Sequence, residues 1–384
     1  MVLLLLLDAI AMHRRLLLRN SAPRAAAAIR WAPLARGYST VPVQNDAQQR
    51  PAVSIGWGET TPSSLPDPFA VVGSQLRPLD ESLKELVGSE HPVLTAVAGH
   101  FFELVGKRFR PTIVLLASSA AAGGAPASTR QVRLAEITEM IHGASLLHDD
   151  VVDLSDARRG AKAAHKLFGT KVSVLGGDFL LARASVLLAR LHDVRVVELM
   201  ATAIEELVQG EMMQVQALPD ELLELEHYLG KTYRKTAALM ALSCEASSLL
   251  GDHPPHVQTA LQAYGRHLGI AYQLVDDYLD FAGSAASLGK PAFADMERGL
   301  ATAPALFALE EFPEIGEVVL RRFSDEGDAK LVGDLVLRSD GLRRTQELAT
   351  AHARQAADAI GVLEPSVARD ALLRLCFDVL NRNA

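Results

Sequence analysis

From about residue 79 to the C-terminus, apolar positions recur at the three- and four-residue spacing of amphipathic helices, and strand-like alternation is hard to find. The spacing predicts helices over 79–88, 92–105, 110–122, 131–153, 172–190, 194–216, 221–227, 230–250, 256–282, 301–310, 328–337, 341–361 and 366–381. Breaks fall where glycine and proline cluster: Gly123-Gly124 before Pro126, Gly251 before Pro254-Pro255, and Gly289 before Pro291. No internal repeat interrupts the pattern. It predicts one all-α domain over residues 76–384. From Pro42 to Pro78 the chain is rich in Pro, Ser and Thr without helical period, so residues 39–75 read as a flexible linker.

The N-terminus differs in kind. Residues 9–45 hold Arg14, Arg15, Arg19, Arg24, Arg30 and Arg36, many alanines and no acidic residue, which is the composition of an organelle transit peptide. The Leu3–Leu7 run is too short to span a bilayer. A secretory signal carries its positive charge before its apolar run, and here the arginines follow it. ARGYST resembles a mitochondrial presequence cleavage site, so residues 1–38 read as a mitochondrial transit peptide, with the plastid as the alternative address.

Composition narrows the function classes. The chain of 384 residues has a formal charge of −8. Residues 1–38 hold six of the arginines and one aspartate, so the remainder carries 32 basic against 45 acidic side chains, net −13. A body this acidic argues against nucleic acid as the partner. Cys244 and Cys376 fit neither a zinc spacing nor a disulfide framework.

Two acidic clusters stand out. HDDVVDLSDARRG places Asp149, Asp150 and Asp153 just after the apolar stretch IHGASLL, and QLVDDYLD places Asp276, Asp277 and Asp280 after HLGIAYQLV. At 100° per residue, His142, Asp149 and Asp153 lie within roughly 20° of one azimuth. Asp276 and Asp280 are i,i+4 neighbours, and Gln273 sits one turn before Asp277. Like charges at that spacing repel. A solvated helix face explains one such cluster; two, each behind an apolar half-helix, call for a counter-ion. Neither has the glycine-containing loop of an EF-hand. Mg²⁺, which takes one or two carboxylates and completes its shell with water and phosphate oxygens, suits them better. The cations complement this: Lys107, Arg108 and Arg110 in GKRFRP, Arg158-Arg159 after the first cluster, and Lys231 and Lys235 in KTYRKT. Guanidinium forks suit phosphate oxygens, and lysine supplies a mobile point charge. Together they predict a diphosphate site on metal and a second, metal-free phosphate site.

At these residues the sequence resembles the trans-type (all-E) polyprenyl diphosphate synthases, and within them the long-chain solanesyl/decaprenyl group. The likeness runs from about residue 75 to the C-terminus through GKRFRP, LLHDDVVDLSDARRG, LGGDFLLARAS, QGEMMQ, YLGKTYRKTA, LGIAYQLVDDYLDF, LGKPAFADMERGLATAP and LRRTQELATAHA. The resemblance implies an isoprenoid-synthase-type antiparallel helical bundle around a deep central cavity. It implies that Asp149, Asp150, Asp153, Asp276, Asp277 and Asp280 hold Mg²⁺ and an allylic diphosphate. Lys107, Arg110, His142 and Arg159, with Arg108 beside them, match the isopentenyl diphosphate site. Arg158, Lys235, Thr236, Gln273 and Lys290 match positions on the allylic diphosphate.

Ala144 and Ser145, one turn before the first acidic cluster, are small where short-chain relatives tend to carry bulky aromatics, which implies a long product. The resemblance also implies a homodimer or a heteromer with a related subunit, and the long product implies peripheral membrane association for its release. With a mitochondrial address, the expected destination is the ubiquinone side chain. A short-chain geranylgeranyl diphosphate synthase and a non-catalytic regulatory subunit are the alternatives. A terpene cyclase usually lacks the second acidic cluster. Two departures from the family pattern are Leu154, often acidic in relatives, and Gly177.

Overall fold

Helix-start chemistry sets the boundaries of three of the longer helices. Ser128 and Gln131 form a capping box, Asp193 accepts the amides of Arg195 and Val196, and Ser366 accepts that of Arg369. The computed structural model describes residues 64–103, 106–282 and 293–382. In chain order its helices are α1 (Pro68–Val71), α2 (Gly73–Leu76), α3 (Leu79–Leu86), α4 (Pro92–Glu103), α5 (Phe109–Ala121), α6 (Thr129–Val152), α7 (Ala164–Phe168), α8 (Thr170–Ala189) and α9 (Val194–Gln216). They continue as α10 (Leu225–Thr232), α11 (Ala238–Leu250), α12 (Pro255–Ala282), α13 (Ala294–Glu297), α14 (Ala303–Ala308), α15 (Glu314–Leu320), α16 (Asp328–Arg338), α17 (Gly341–Ala359) and α18 (Val367–Asn381). The strands β1 (Ala157–Arg158) and β2 (Ala161–Lys162) pair antiparallel between α6 and α7.

The expected all-α bundle is what the chain forms. α5 is buried from Pro111 to Ala120, and α11 is buried along most of its length. Helices apolar all round belong at the centre. α6 packs on α5 and α8, and α12 packs on α11 and α17. The main core spans these helices, and a smaller cluster of Phe281, Met296, Ile315, Val319, Phe323 and Val332 gathers the end of α12 with α13, α15 and α16. Glycines set the closest approaches: a Cβ on Gly176 would lie 2.6 Å from Val97 Cγ1, and one on Gly177 would overlap the His148 ring. That accounts for the Gly177 departure, since α8 lies against α6 there.

Three expectations need correction. The linker does not reach residue 75: α1 and α2 lie inside it, Asp67 caps α1 with Pro68 at its first position, and Val72 is buried in the core. Composition hid that helix start, although Asp followed by Pro is a start signal. The expected helix 221–227 divides into a 3₁₀ turn, Glu221–Leu223, and the start of α10. The expected helix 230–250 starts earlier, at Leu225, and is interrupted by a π-turn at Tyr233–Ala237. The strand pair and the short helices α7, α13 and α15 carry too few residues to show a period. The transit-peptide segment 1–38 and Lys290 lie outside the described residues.

Candidate active site

The first acidic cluster occupies the C-terminal turn of α6, with Asp153 as its cap. Its three carboxylates face different partners. Asp150 is only 3% exposed and accepts Arg158 through Nε at 3.0 Å and Nη2 at 2.5 Å. Arg158 can reach back because β1 and β2 close a two-residue hairpin whose turn residues, Arg159 and Gly160, both have positive φ (51° and 79°). That is the twist-matched hairpin turn, with arginine at a position that favours asparagine or glycine. Asp149 and Asp153 are left on the open side. Burial, with Glu211 and Asp153 nearby, pushes the Asp149 carboxyl up to about 7 despite Lys235, and burial likewise raises Asp153. Leu154 adds no charge: it is well exposed, with φ of 53°.

Across from them stands Lys235. Its ammonium is 2.5 Å from Glu211 Oε2 on α9 and 3.4 Å from Gln214 Oε1. Burial works against its charge, but Asp149, Glu211 and Asp153 outweigh it and hold the ammonium above its usual value. Thr236, the next residue, turns the other way and donates to Gln273 Oε1 at 2.9 Å.

The second cluster lies near the C-terminal end of α12. Asp277 is 1% exposed and accepts from Tyr228 Oη (2.5 Å) and Gln273 Nε2 (2.8 Å). Burial, with Asp295 beside it, pushes it up to about 7. Asp280 accepts the amides of Ala294 and Asp295 at the start of α13, at 3.2 and 3.3 Å. Asp276, the most open of the three, pairs at 2.5 Å with Arg382, which also lies over the Tyr272 ring at 3.8 Å.

The basic site forms where α5 meets α6. Arg110 Nη1 and His142 Nε2 are 2.9 Å apart, and a guanidinium can only donate, so His142 accepts. Burial first, then the neighbouring Arg110, Arg159 and Arg158, hold His142 well below its usual value and keep it neutral. Gly106 lies against the Arg159 guanidinium, while Lys107 is exposed. Arg108 faces the other way: φ of 48° turns its side chain inward, where it binds Asp80 (2.6 Å), Glu139 (3.0 Å) and the Phe102 carbonyl (3.1 Å). It anchors α3, α4 and α6 rather than facing a phosphate. Ala144 is wholly buried, and Ser145 is half-buried with its hydroxyl on the His142 carbonyl.

Tyr228, Glu211, Arg382 and Asp295 were not legible as site residues. Glu211 and Tyr228 stand inside QGEMMQ and YLGKTYRKTA, where a further carboxylate and a tyrosine ahead of both lysines were the available signals. Arg382 carried none.

The donor set fits Mg²⁺. Carboxylates raised to about 7 by burial first, and then by neighbouring carboxylates, gain from a cation, and Glu211 Oε1 is buried without a hydrogen-bond partner among the described residues. Among those residues no three His, Cys, Asp or Glu side chains form a ready cage, and Mg²⁺ takes only one or two carboxylates and completes its shell with water and phosphate oxygens.

A family model described as polyprenyl synthetase matches residues 91–336. The chain is 48% identical to a prenyl transferase of a Synechocystis species over 82% of this chain and 97% of that protein. It is 45% identical to the mitochondrial solanesyl-diphosphate synthase 1 of Oryza sativa subsp. japonica, over 82% of this chain and 78% of that one. It superimposes with a TM-score of 0.78, at 32% identity, on the crystal structure of a polyprenyl synthase from Caulobacter crescentus complexed with calcium and isoprenyl diphosphate; 88% of this chain and 100% of that one are covered. Paired acidic clusters on α6 and α12, a basic site beside them and these likenesses agree: the chain belongs to the polyprenyl synthetase family and is a prenyltransferase.

Proposed function

We propose that the protein makes a long-chain all-E polyprenyl diphosphate by sequential head-to-tail condensation of isopentenyl diphosphate onto an allylic diphosphate. One observation carries this reading: the chain presents side chains of opposite charge, the aspartates at the C-terminal ends of α6 and α12 and the basic pair of Arg110 with His142. The acidic site suits an allylic diphosphate brought with Mg²⁺, which would supply Lewis-acid stabilisation of the departing diphosphate oxygens. Asp149, Asp153 and Asp276 would hold the ion, and Asp150, Asp277 and Asp280 brace them through Arg158, Tyr228 and the α13 amides. Lys235, Thr236, Gln273 and Lys290 would hold the same diphosphate.

At the basic site Lys107, Arg110, His142 and Arg159 would fix isopentenyl diphosphate, with no carboxylate needed there. Heterolysis of the allylic C–O bond sends its electron pair to the diphosphate. The isopentenyl double bond attacks the resulting allylic cation, and loss of a proton restores the alkene. The released diphosphate is the base. The apolar helices around the site exclude water that would quench the cation.

The small residues Ala144 and Ser145 support a long product, in keeping with the solanesyl-named relative from Oryza. The arginine-rich N-terminus and that relative's mitochondrial designation support a mitochondrial enzyme serving the ubiquinone side chain. Leu175 and Val186, exposed on α8, support an assembly with a second copy or a related subunit. Incubating the purified chain with Mg²⁺, labelled isopentenyl diphosphate and a short allylic primer tests the whole reading. A long ladder that chelator abolishes supports it. A ladder stopping at geranylgeranyl diphosphate favours the short-chain alternative, and no product from the chain alone favours a regulatory subunit.

A further inference from the structure

Residues 225–250 run as one helical rod whose middle, Tyr233–Ala237, is a π-turn: the Ala238 amide bonds the Tyr233 carbonyl, five residues back. One extra residue in a turn rotates everything before it by about 100° relative to everything after it. Within the turn, consecutive side chains serve different neighbours. Lys235 turns to Glu211 and the first acidic cluster, while Thr236 turns to Gln273, which in turn holds Asp277. Upstream, Tyr228 reaches Asp277 directly.

Two neighbouring helices press on this turn with no side chain between. A Cβ on Gly210 of α9 would lie 2.7 Å from the Lys235 amide nitrogen and 2.9 Å from Arg234 Cβ. A Cβ on Gly269 of α12 would lie 2.6 Å from Ala237 Cα and 2.7 Å from its Cβ. Both glycines sit inside long helices, where alanine is the better helix former. Their neighbours are rigid backbone, not the flexible end of a side chain. By contrast, Gly230 of α10 has nothing closer than 3.6 Å.

We propose that Gly210 and Gly269 form a clasp that holds the π-turn in place, and are therefore positioning residues for the allylic diphosphate through Lys235 and Thr236. The inference rests on the assignment of those two residues to the allylic substrate. Gly210→Ala and Gly269→Ala push the turn from two different helices, so each should displace Lys235 and Thr236 without touching substrate itself.

The test compares Gly210→Ala, Gly269→Ala, Gly230→Ala and Lys235→Met, each checked for helical content and thermal unfolding, with KM measured separately for the two substrates. Gly210→Ala and Gly269→Ala should raise KM for the allylic diphosphate about tenfold or more and leave KM for isopentenyl diphosphate within about twofold. Gly230→Ala should resemble wild type. The two contacts lie on different helices, so if one variant fails to fold the other decides. Equal rises in both KM values, or none in a folded variant, overturn the clasp. Unchanged allylic KM in Lys235→Met overturns the underlying assignment instead, and so separates the two failures.

Discussion

The Tyr228 hydroxyl donates to Asp277 Oδ2 across the gap between α10 and α12, at 2.5 Å, where both groups are buried. Gln273 holds the other oxygen at 2.8 Å, so Asp277 is fixed from two sides and has little room to turn toward a ligand. Tyr228→Phe removes one of the two restraints and leaves a buried acceptor unmatched, which costs about 1–3 kcal/mol. The expected outcome is a lower midpoint in thermal unfolding and a roughly tenfold fall in kcat/KM. Wild-type values for both would show that the hydrogen bond does nothing for the site.

Asp276 is the most exposed carboxylate of its cluster and Asp149 is half-buried, so neither belongs to the hydrophobic core. Asp149→Ala or Asp276→Ala should therefore abolish turnover while circular dichroism stays that of the folded protein. Asp150→Asn should behave differently and lose stability as well, because it removes the charge that Arg158 pairs with through two donors on one oxygen, Oδ1. Near-normal rates in either alanine variant would refute the assignment of the acidic clusters to the allylic site.

Phe at 145 starts from a half-buried serine, whereas Phe at 144 must enter a fully packed position, where overpacking costs roughly 1–3 kcal/mol. Ser145→Phe should thus shorten the product ladder with the first condensations spared, and Ala144→Phe should shorten it at some loss of stability. Thin-layer chromatography of the dephosphorylated products reads the outcome. An unchanged ladder in Ser145→Phe would remove that residue from the floor of the cavity.

His267 on α12 and His352 on α17 meet Nδ1 to Nδ1 at 2.9 Å. Burial, with Arg266 alongside, pushes His267 down to about 4, and burial together with His267 and Arg266 pushes His352 down to about 3. Both are neutral in the folded protein, while the unfolded chain takes up protons near 6.5. Their contribution to stability is therefore present above pH 6.5 and is lost as pH falls from there toward 4 and 3. His352→Leu removes one proton-uptake site, so between pH 6 and 4 its stability should fall less steeply, by about 1.4 kcal/mol per pH unit. Urea unfolding at a series of pH values measures this, and parallel acid limbs would exclude the pair as their source.

The sequence by itself determined the helices and the chemistry. The apolar period placed α9 at 194–216 to the residue, and the spacing of Asp149 with Asp153 and of Asp276 with Asp280 put each pair on one helix face. Those features are local, since a helix fixes its own angular relations within a few residues. What only the tertiary structure decided was which partner each carboxylate meets. Asp150 closes on Arg158 through a hairpin turn, Asp277 on Tyr228 from 49 residues away, Asp280 on the α13 amides, and Asp276 on Arg382 at the far end of the chain. It also turned Arg108 inward and placed a π-turn between Gly210 and Gly269. Each of these depends on which helices lie side by side, and close packing between helices leaves no period in the sequence of either one.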